Sequence, residues 1–343
     1  MCSNSRVRWL VLTISFLLLG MLLANPAATA EGFEQGLMLC THTLLPALFP
    51  FFVVCGFVTV NSSQKSGFVT ALLLSWLGGY AVCAGLVRNL AAQKKLSPRR
   101  AQLLLLLGCC SGPGFVIGSV GGQLLGSVRV GCVLYGAQLA ANLAAVMLLW
   151  PLSRRAPVQL REPAETGSSD TRTQASTGMI GNAVDSCLYV CGTVIFFRIV
   201  QTVLLRTVPV PEQFVPWISA GLEISSGCAD FAQLGGQDAL RGLCLCLSVL
   251  GLSVFLQVCS LVGTADFLGM LVLERALHIP LMQVIVYTAM RFLPGESTVF
   301  YSMAPRVLVM NRMAPDAAFA VFLFFCAVLY KVHKKIYNKI ACG

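Results

Sequence analysis

Residues 103–120 read Leu-Leu-Leu-Leu-Leu-Gly-Cys-Cys-Ser-Gly-Pro-Gly-Phe-Val-Ile-Gly-Ser-Val, and two properties of this stretch decide the fold. Leu103–Leu107 puts apolar side chains on every face of a helix, as a segment surrounded by lipid or by other helices requires. Period-two alternation, the mark of a membrane barrel strand, is absent. Ser111–Gly112–Pro113–Gly114 then interrupts a span that would otherwise be continuous. Proline removes a helical amide and clashes with the preceding turn, while glycine lets the backbone turn or pack closely. Backbone groups freed in this way cannot face lipid, so they lie against protein or line a wet cavity. Two explanations stay open: a kink filled by neighbouring helices, and the edge of a solute site.

The rest of the chain is of the same kind. Of 343 residues, 57% are hydrophobic and 11% charged, with a mean hydropathy of +0.79. A soluble protein carries roughly 25% charged residues, and here the charge is too sparse to coat a core. Apolar stretches long enough to cross about 30 Å of hydrocarbon run near Trp9–Leu23, Leu37–Val60, Gly67–Val87, Leu103–Val120, Val130–Trp150, Met179–Leu205, Leu240–Val262, Leu268–Met290 and Ala317–Tyr330. The expected fold is an all-α, polytopic transmembrane helical bundle.

Basic residues set its orientation. Arg6 and Arg8, then Arg88 to Arg100, then Arg154 to Arg172, then Lys331 to Lys339 form four clusters that the positive-inside rule places in the cytoplasm. The net charge of +10 is thus a matter of topology and of anionic lipid at the surface, with no nucleic-acid partner implied. Two successive crossings before Gly67 leave both ends of Gly67–Val87 inside. A re-entrant hairpin turning at Gly78–Gly79 resolves the conflict. At the N-terminus, Arg6, Arg8, the apolar run and Ala28–Thr29–Ala30 look like a secretory signal. An uncleaved first span that ends at Asn25–Pro26 explains the same pattern and is the favoured expectation.

Several chemistries find no support. The fifteen cysteines are scattered through apolar segments without zinc-site spacing, and His42, His278 and His333 are far apart in sequence. No phosphate-binding glycine loop and no nucleophile elbow is present. No metal site, no cofactor and no enzyme activity is expected.

The chain reads as built twice. Residues 1–30 form an N-terminal transmembrane segment and 31–150 a first membrane half. A polar cytoplasmic linker, 151–176, leads to a second half, 177–330, and a basic tail, 331–343. In the first half Gly78–Gly79–Tyr80 precedes the glycine-rich Gly108–Gly122. In the second, Gly221–Leu222–Glu223–Ile224–Ser225–Ser226–Gly227 precedes Gly251–Leu252–Ser253. Gly79 to Gly108 is 29 residues and Glu223 to Gly251 is 28. Paired hairpin-plus-span units with re-entrant or broken helices are a transporter arrangement. Pro46 and Pro50 distort the second apolar segment, more readily as packing geometry than as a site.

Candidate binding or coupling residues follow from these interruptions: Gly78, Gly79, Ser111, Gly112 and Pro113 in the first half, Glu223, Ser225, Ser226, Gly227 and Gln257 in the second. Glu223 stands out, because an intramembrane carboxylate is expensive unless paired, protonated or wet. It suits proton or cation coupling, or orienting hydroxyls around a solute; a capping role at an interface is the alternative. Gln257 serves equally as a site residue or as helix–helix glue. Arg275 and Arg291 are candidate counter-charges, and Glu274 with Arg275 fits an interface just as well.

Leu44–Leu45–Pro46–Ala47–Leu48–Phe49–Pro50–Phe51–Phe52, Gly78–Gly79–Tyr80, Ser111–Gly112–Pro113, Leu222–Gly227 and Gly251–Leu252–Ser253–Val254 with Gln257 together resemble the sporulation integral membrane protein family of the YlbJ/SpoVV type. That family carries nucleoside-recognition, or Gate, domains, and the resemblance covers about Leu37 to Met290. Four positions depart from it: Ala81 replaces a proline, Cys109 and Cys110 replace two asparagines, and Phe255 replaces a histidine. The resemblance implies a multi-pass transporter for a small anionic solute, with dipicolinate as the family's solute, in the outer forespore membrane derived from the mother cell. Its coupling, to an ion or a proton or to neither, stays open, and so does its oligomeric state. A non-transporting scaffold or partner subunit of a sporulation complex is the alternative. An ionised Glu223 would repel a dianion.

Overall fold

The structure, a computed structural model, describes residues 5–61, 67–92, 96–153, 175–262 and 267–292. Most of the expected linker, the Lys94–Lys95 pair, the Ala317–Tyr330 span and the basic tail lie outside the described residues. The described chain is all α, without a strand. Five helices are long and apolar enough to cross a membrane: Phe68–Arg88, Val128–Trp150, Ala183–Thr207, Gly236–Val262 and Leu268–Arg291. Their outer faces carry exposed Val69, Met147, Leu148 and Val284, which lipid accommodates and water would not. The protein is a multi-pass membrane protein.

Helix α1 (Ser5–Ala24) stops at Asn25, whose φ of −127° and ψ of 61° leave the helical region, and Pro26 opens α2 (Pro26–Leu39). The two segments meet at 98°. Small residues seat α2 on α7 (Ala175–Thr207): a Cβ on Gly32 or Gly36 would lie 2.8 Å from the Cα of Ile199 or Ile195. That four-residue spacing of glycines lets helix backbones approach in membranes. After α2 the chain widens into a π turn, Cys40–Leu44, and continues as α3 (Leu45–Asn61). Pro46 has no amide with which to close a turn on His42, and the π turn lies where that bond is missing.

The α4 segment (Gly67–Ala92) is helical on both sides of Gly79, which has φ 77° and ψ −170°. Its length permits a crossing, but its geometry is that of a hairpin. Ser75 Cβ and Cys83 Sγ would both lie 2.8 Å from a Cβ on Gly108, whereas a straight helix separates residues eight apart by about 12 Å. Each arm therefore reaches only about 18–20 Å, less than the hydrocarbon thickness. Next come α5 (Pro98–Gly108), capped by the Ser97 side chain, a second π segment (Gly114–Leu124) and the long α6 (Val128–Ser153).

After α7 the pattern repeats. A short 3-10 turn leads to α8 (Val215–Leu222) and α9 (Ile224–Ala232), joined at the extended residue Glu223. They also fold back on each other, since a Cβ on Gly227 would stand 2.5 Å from Ala220 Cα. Then α10 (Gly236–Val249), the break at Leu250–Gly251, α11 (Gly251–Val262) and the long α12 (Leu268–Arg291) follow. Hairpin, broken span, whole span is the order in both halves. The halves interlock, with α6 against α12 and α11 against α4.

Candidate functional site

In each half the break of the hairpin lies on the break of the span after it. A Cβ on Gly79 would be 2.9 Å from the Gly112 amide nitrogen, and one on Gly112 would be 3.1 Å from Leu77 O. Only glycine permits this approach, and at Gly79 only glycine tolerates the positive φ. The similar spacings of the two halves, Gly79 to Gly108 and Glu223 to Gly251, do not correspond to similar contacts, because Gly79 meets Gly112. Gly108 closes α5 against Ser75 and Cys83, because the non-helical Cys109–Gly112 stretch carries the chain four residues further before it turns. In the second half a Cβ on Gly251, φ 79°, would lie 3.1 Å from both Ala220 O and Glu223 N. Leu250 beside it is buried with φ 67°, a left-handed conformation that costs a non-glycine residue about 1–3 kcal/mol.

A cavity lies where the first half's breaks meet the start of α9. Gly78, Gly79, Tyr80, Ala81, Ser111 and Gly112 form one wall, and Ile224 with Ser225 the other. Leu44, Leu48, Phe52, Phe115 and Val190 close it. It leaves about 20 Å³ to the centres of water molecules, room for one or two waters and no solute. Of the residues singled out from sequence, Gly78, Gly79, Ser111, Gly112 and Ser225 line it. Pro113 starts the second π segment beside them. Glu223, Ser226 and Gly227 belong to the adjoining hairpin without lining the cavity, and Gln257 lies apart on α11. Both amide atoms of Gln257 are buried without a hydrogen-bond partner among the described residues.

Glu223 is 1% exposed and caps α9, where its Oε2 accepts from the Ser226 amide at 2.7 Å. The aligned amides of a helix start stabilise a carboxylate. No cation pairs with Glu223 among the described residues, and Arg275 and Arg291, the candidate counter-charges, do not reach it. The hairpin is instead braced from outside by Asp230 on α9. That carboxylate accepts from Ser219 Oγ, from Gln201 Nε2 at 3.1 Å and from Arg198 Nη1 at 3.4 Å.

A buried polar network lies between α6 and α12, of whose residues on these two helices only Glu274 and Arg275 were given a candidate role from the sequence. Gln138 holds Ser111 by both backbone groups, donating from Nε2 to Ser111 O at 2.9 Å and accepting from its amide at 3.4 Å. His278 Nε2 lies 3.1 Å from Gln138 O, and its Nδ1 lies 2.9 Å from Ser248 Oγ on α10. Arg275 donates to Asn142 Oδ1 at 2.7 Å and pairs with Glu274. Asn142 donates in turn to Leu107 O, as does the Trp76 indole. These bonds tie the first-half break to the residues before the second. A signal for them exists in the sequence: Gln138 and Asn142, like Glu274 and His278, recur four apart inside otherwise apolar spans, which puts each pair on one helix face.

No family model matches the chain, and neither a curated protein nor a solved structure matches it.

Proposed function

We propose that the protein is a membrane transporter for a small anionic solute, as the resemblance to the sporulation membrane proteins implies, with dipicolinate the solute to test first. The observation that carries this reading is the meeting of the first half's helix breaks with the start of α9, from the second half's hairpin, at one cavity. Freed backbone amides, a hydroxyl and the start of α9 converge there, the composition of a midplane solute site between discontinuous helices. The cavity holds a water or two, so a solute enters only when the α4 apex and the α9 start move apart. Paired hairpins that end inside the membrane supply elements able to do so. Glu223 takes the role of a coupling or gating residue, because its carboxylate holds the α9 start that forms one wall. The outer forespore membrane is the location that goes with this proposal.

The tightness of the same cavity favours a second reading, a scaffold or partner subunit in which the breaks only pack. One experiment separates the two: uptake of labelled dipicolinate, with nucleosides for comparison, into proteoliposomes that hold the full chain or its Glu223→Gln variant. Saturable flux that the substitution alters supports transport. No flux of any solute by folded protein, across pH and ion gradients, selects the scaffold.

A further inference from the structure

The two hairpins differ in one respect that bears on what the cavity accepts. In the second, the start of α9 is closed by its own chain, with Glu223 accepting from the Ser226 amide at 2.7 Å. The matching apex of the first hairpin is Gly79, which has no side chain to offer. The arm that starts at Tyr80 thus opens without a capping carboxylate, and the start of a helix carries partial positive charge. Gly79, Tyr80 and Ala81 all line the cavity.

Ser111, on the same cavity, is the second observation. It is 1% exposed, and its Oγ has no hydrogen-bond partner among the described residues. Gln138 holds its amide and carbonyl, so the backbone that positions this hydroxyl is fixed. A buried hydroxyl left unsatisfied costs about 1–3 kcal/mol, and a ligand oxygen beside it would remove that cost.

We propose that the helix start at Gly79–Ala81 and the Ser111 hydroxyl together seat one carboxylate, and that the solute is a small monocarboxylate. The second hairpin has no equivalent seat, because Glu223 already occupies it. A second carboxylate on the solute would find no free helix start there and would be buried without a partner, which is costly. The inference rests on the solute-cavity proposal above and narrows its substrate class from anions in general to compounds with a single carboxylate and an uncharged or hydrogen-bond-donating far end.

The test is thermal unfolding of the purified full chain in detergent, titrated at one pH and ionic strength with picolinate, pyridine and dipicolinate. Picolinate is expected to raise the melting temperature, pyridine to leave it unchanged, and dipicolinate to require at least tenfold higher concentration. Ser111→Ala should weaken picolinate about tenfold, the loss of one hydrogen bond to a charged group, while the ligand-free melting temperature stays the same or rises, because the unsatisfied hydroxyl is gone. Equal effects of pyridine and picolinate, tighter binding of dipicolinate, unchanged picolinate binding by Ser111→Ala, or no response to any probe would each overturn the proposal. Binding without flux would remove the transport reading and keep the seat. Flux that prefers dipicolinate would keep transport and remove the seat.

Discussion

At the scale of single residues, charges inside the membrane are held in two different ways. Glu223 relies on the start of a helix, whereas Glu274 and Arg275, 0% and 3% exposed, rely on each other. Removing one partner of a buried pair leaves an uncompensated charge, at a cost of about 3–5 kcal/mol. Arg275→Gln is therefore expected to lower the melting temperature severely, and Glu274→Gln combined with Arg275→Gln to restore much of it; a double variant as unstable as the single one contradicts the pairing. Gln138 acts through backbone. Gln138→Leu frees both backbone groups of Ser111 and is expected to destabilise by about 2–4 kcal/mol, since it leaves a buried amide and carbonyl unsatisfied. Denaturation of the detergent-solubilised variant reads this directly.

At the scale of elements, the hairpin apices are contacts between backbones, so they tolerate no side chain. Gly79→Ala puts a methyl group against the Gly112 amide in an extended positive-φ conformation that costs an L-residue about 1–3 kcal/mol. It should destabilise the protein and stop any flux, whereas Gly85→Ala, with nothing within 4 Å of the new Cβ, should do neither. Equal effects of the two would count against apposed breaks. The α2–α7 contact offers a parallel test. Gly36→Leu overpacks against Ile195 at about 1–3 kcal/mol, detectable as a lower melting temperature.

At the scale of the whole molecule, α4 is a re-entrant hairpin, so its two ends lie on one side of the membrane. Sidedness reporters fused just before α4 and just after it should give the same response, and reporters flanking α6 opposite ones. Opposite responses across α4 would restore it as a spanning helix. Much of this architecture was legible in the sequence. Hydropathy reports how long a segment stays apolar, so the long helices among the described residues and the hairpin at Gly78–Gly79 followed from local composition. The breaks at Ser111–Gly112–Pro113, Glu223 and Gly251 were legible for the same reason, because proline, glycine and a charge act on the backbone where they stand. Which break meets which was decided only by tertiary structure. Gly112 opposes Gly79 because the non-helical stretch after α5 adds four residues before the chain turns. Glu223 caps its own helix, Gln257 lies away from the cavity, and Gln138, Asn142, Arg275 and His278 converge from distant spans. Those outcomes depend on how helices pack across the chain, and no local pattern of residues encodes the distances between them.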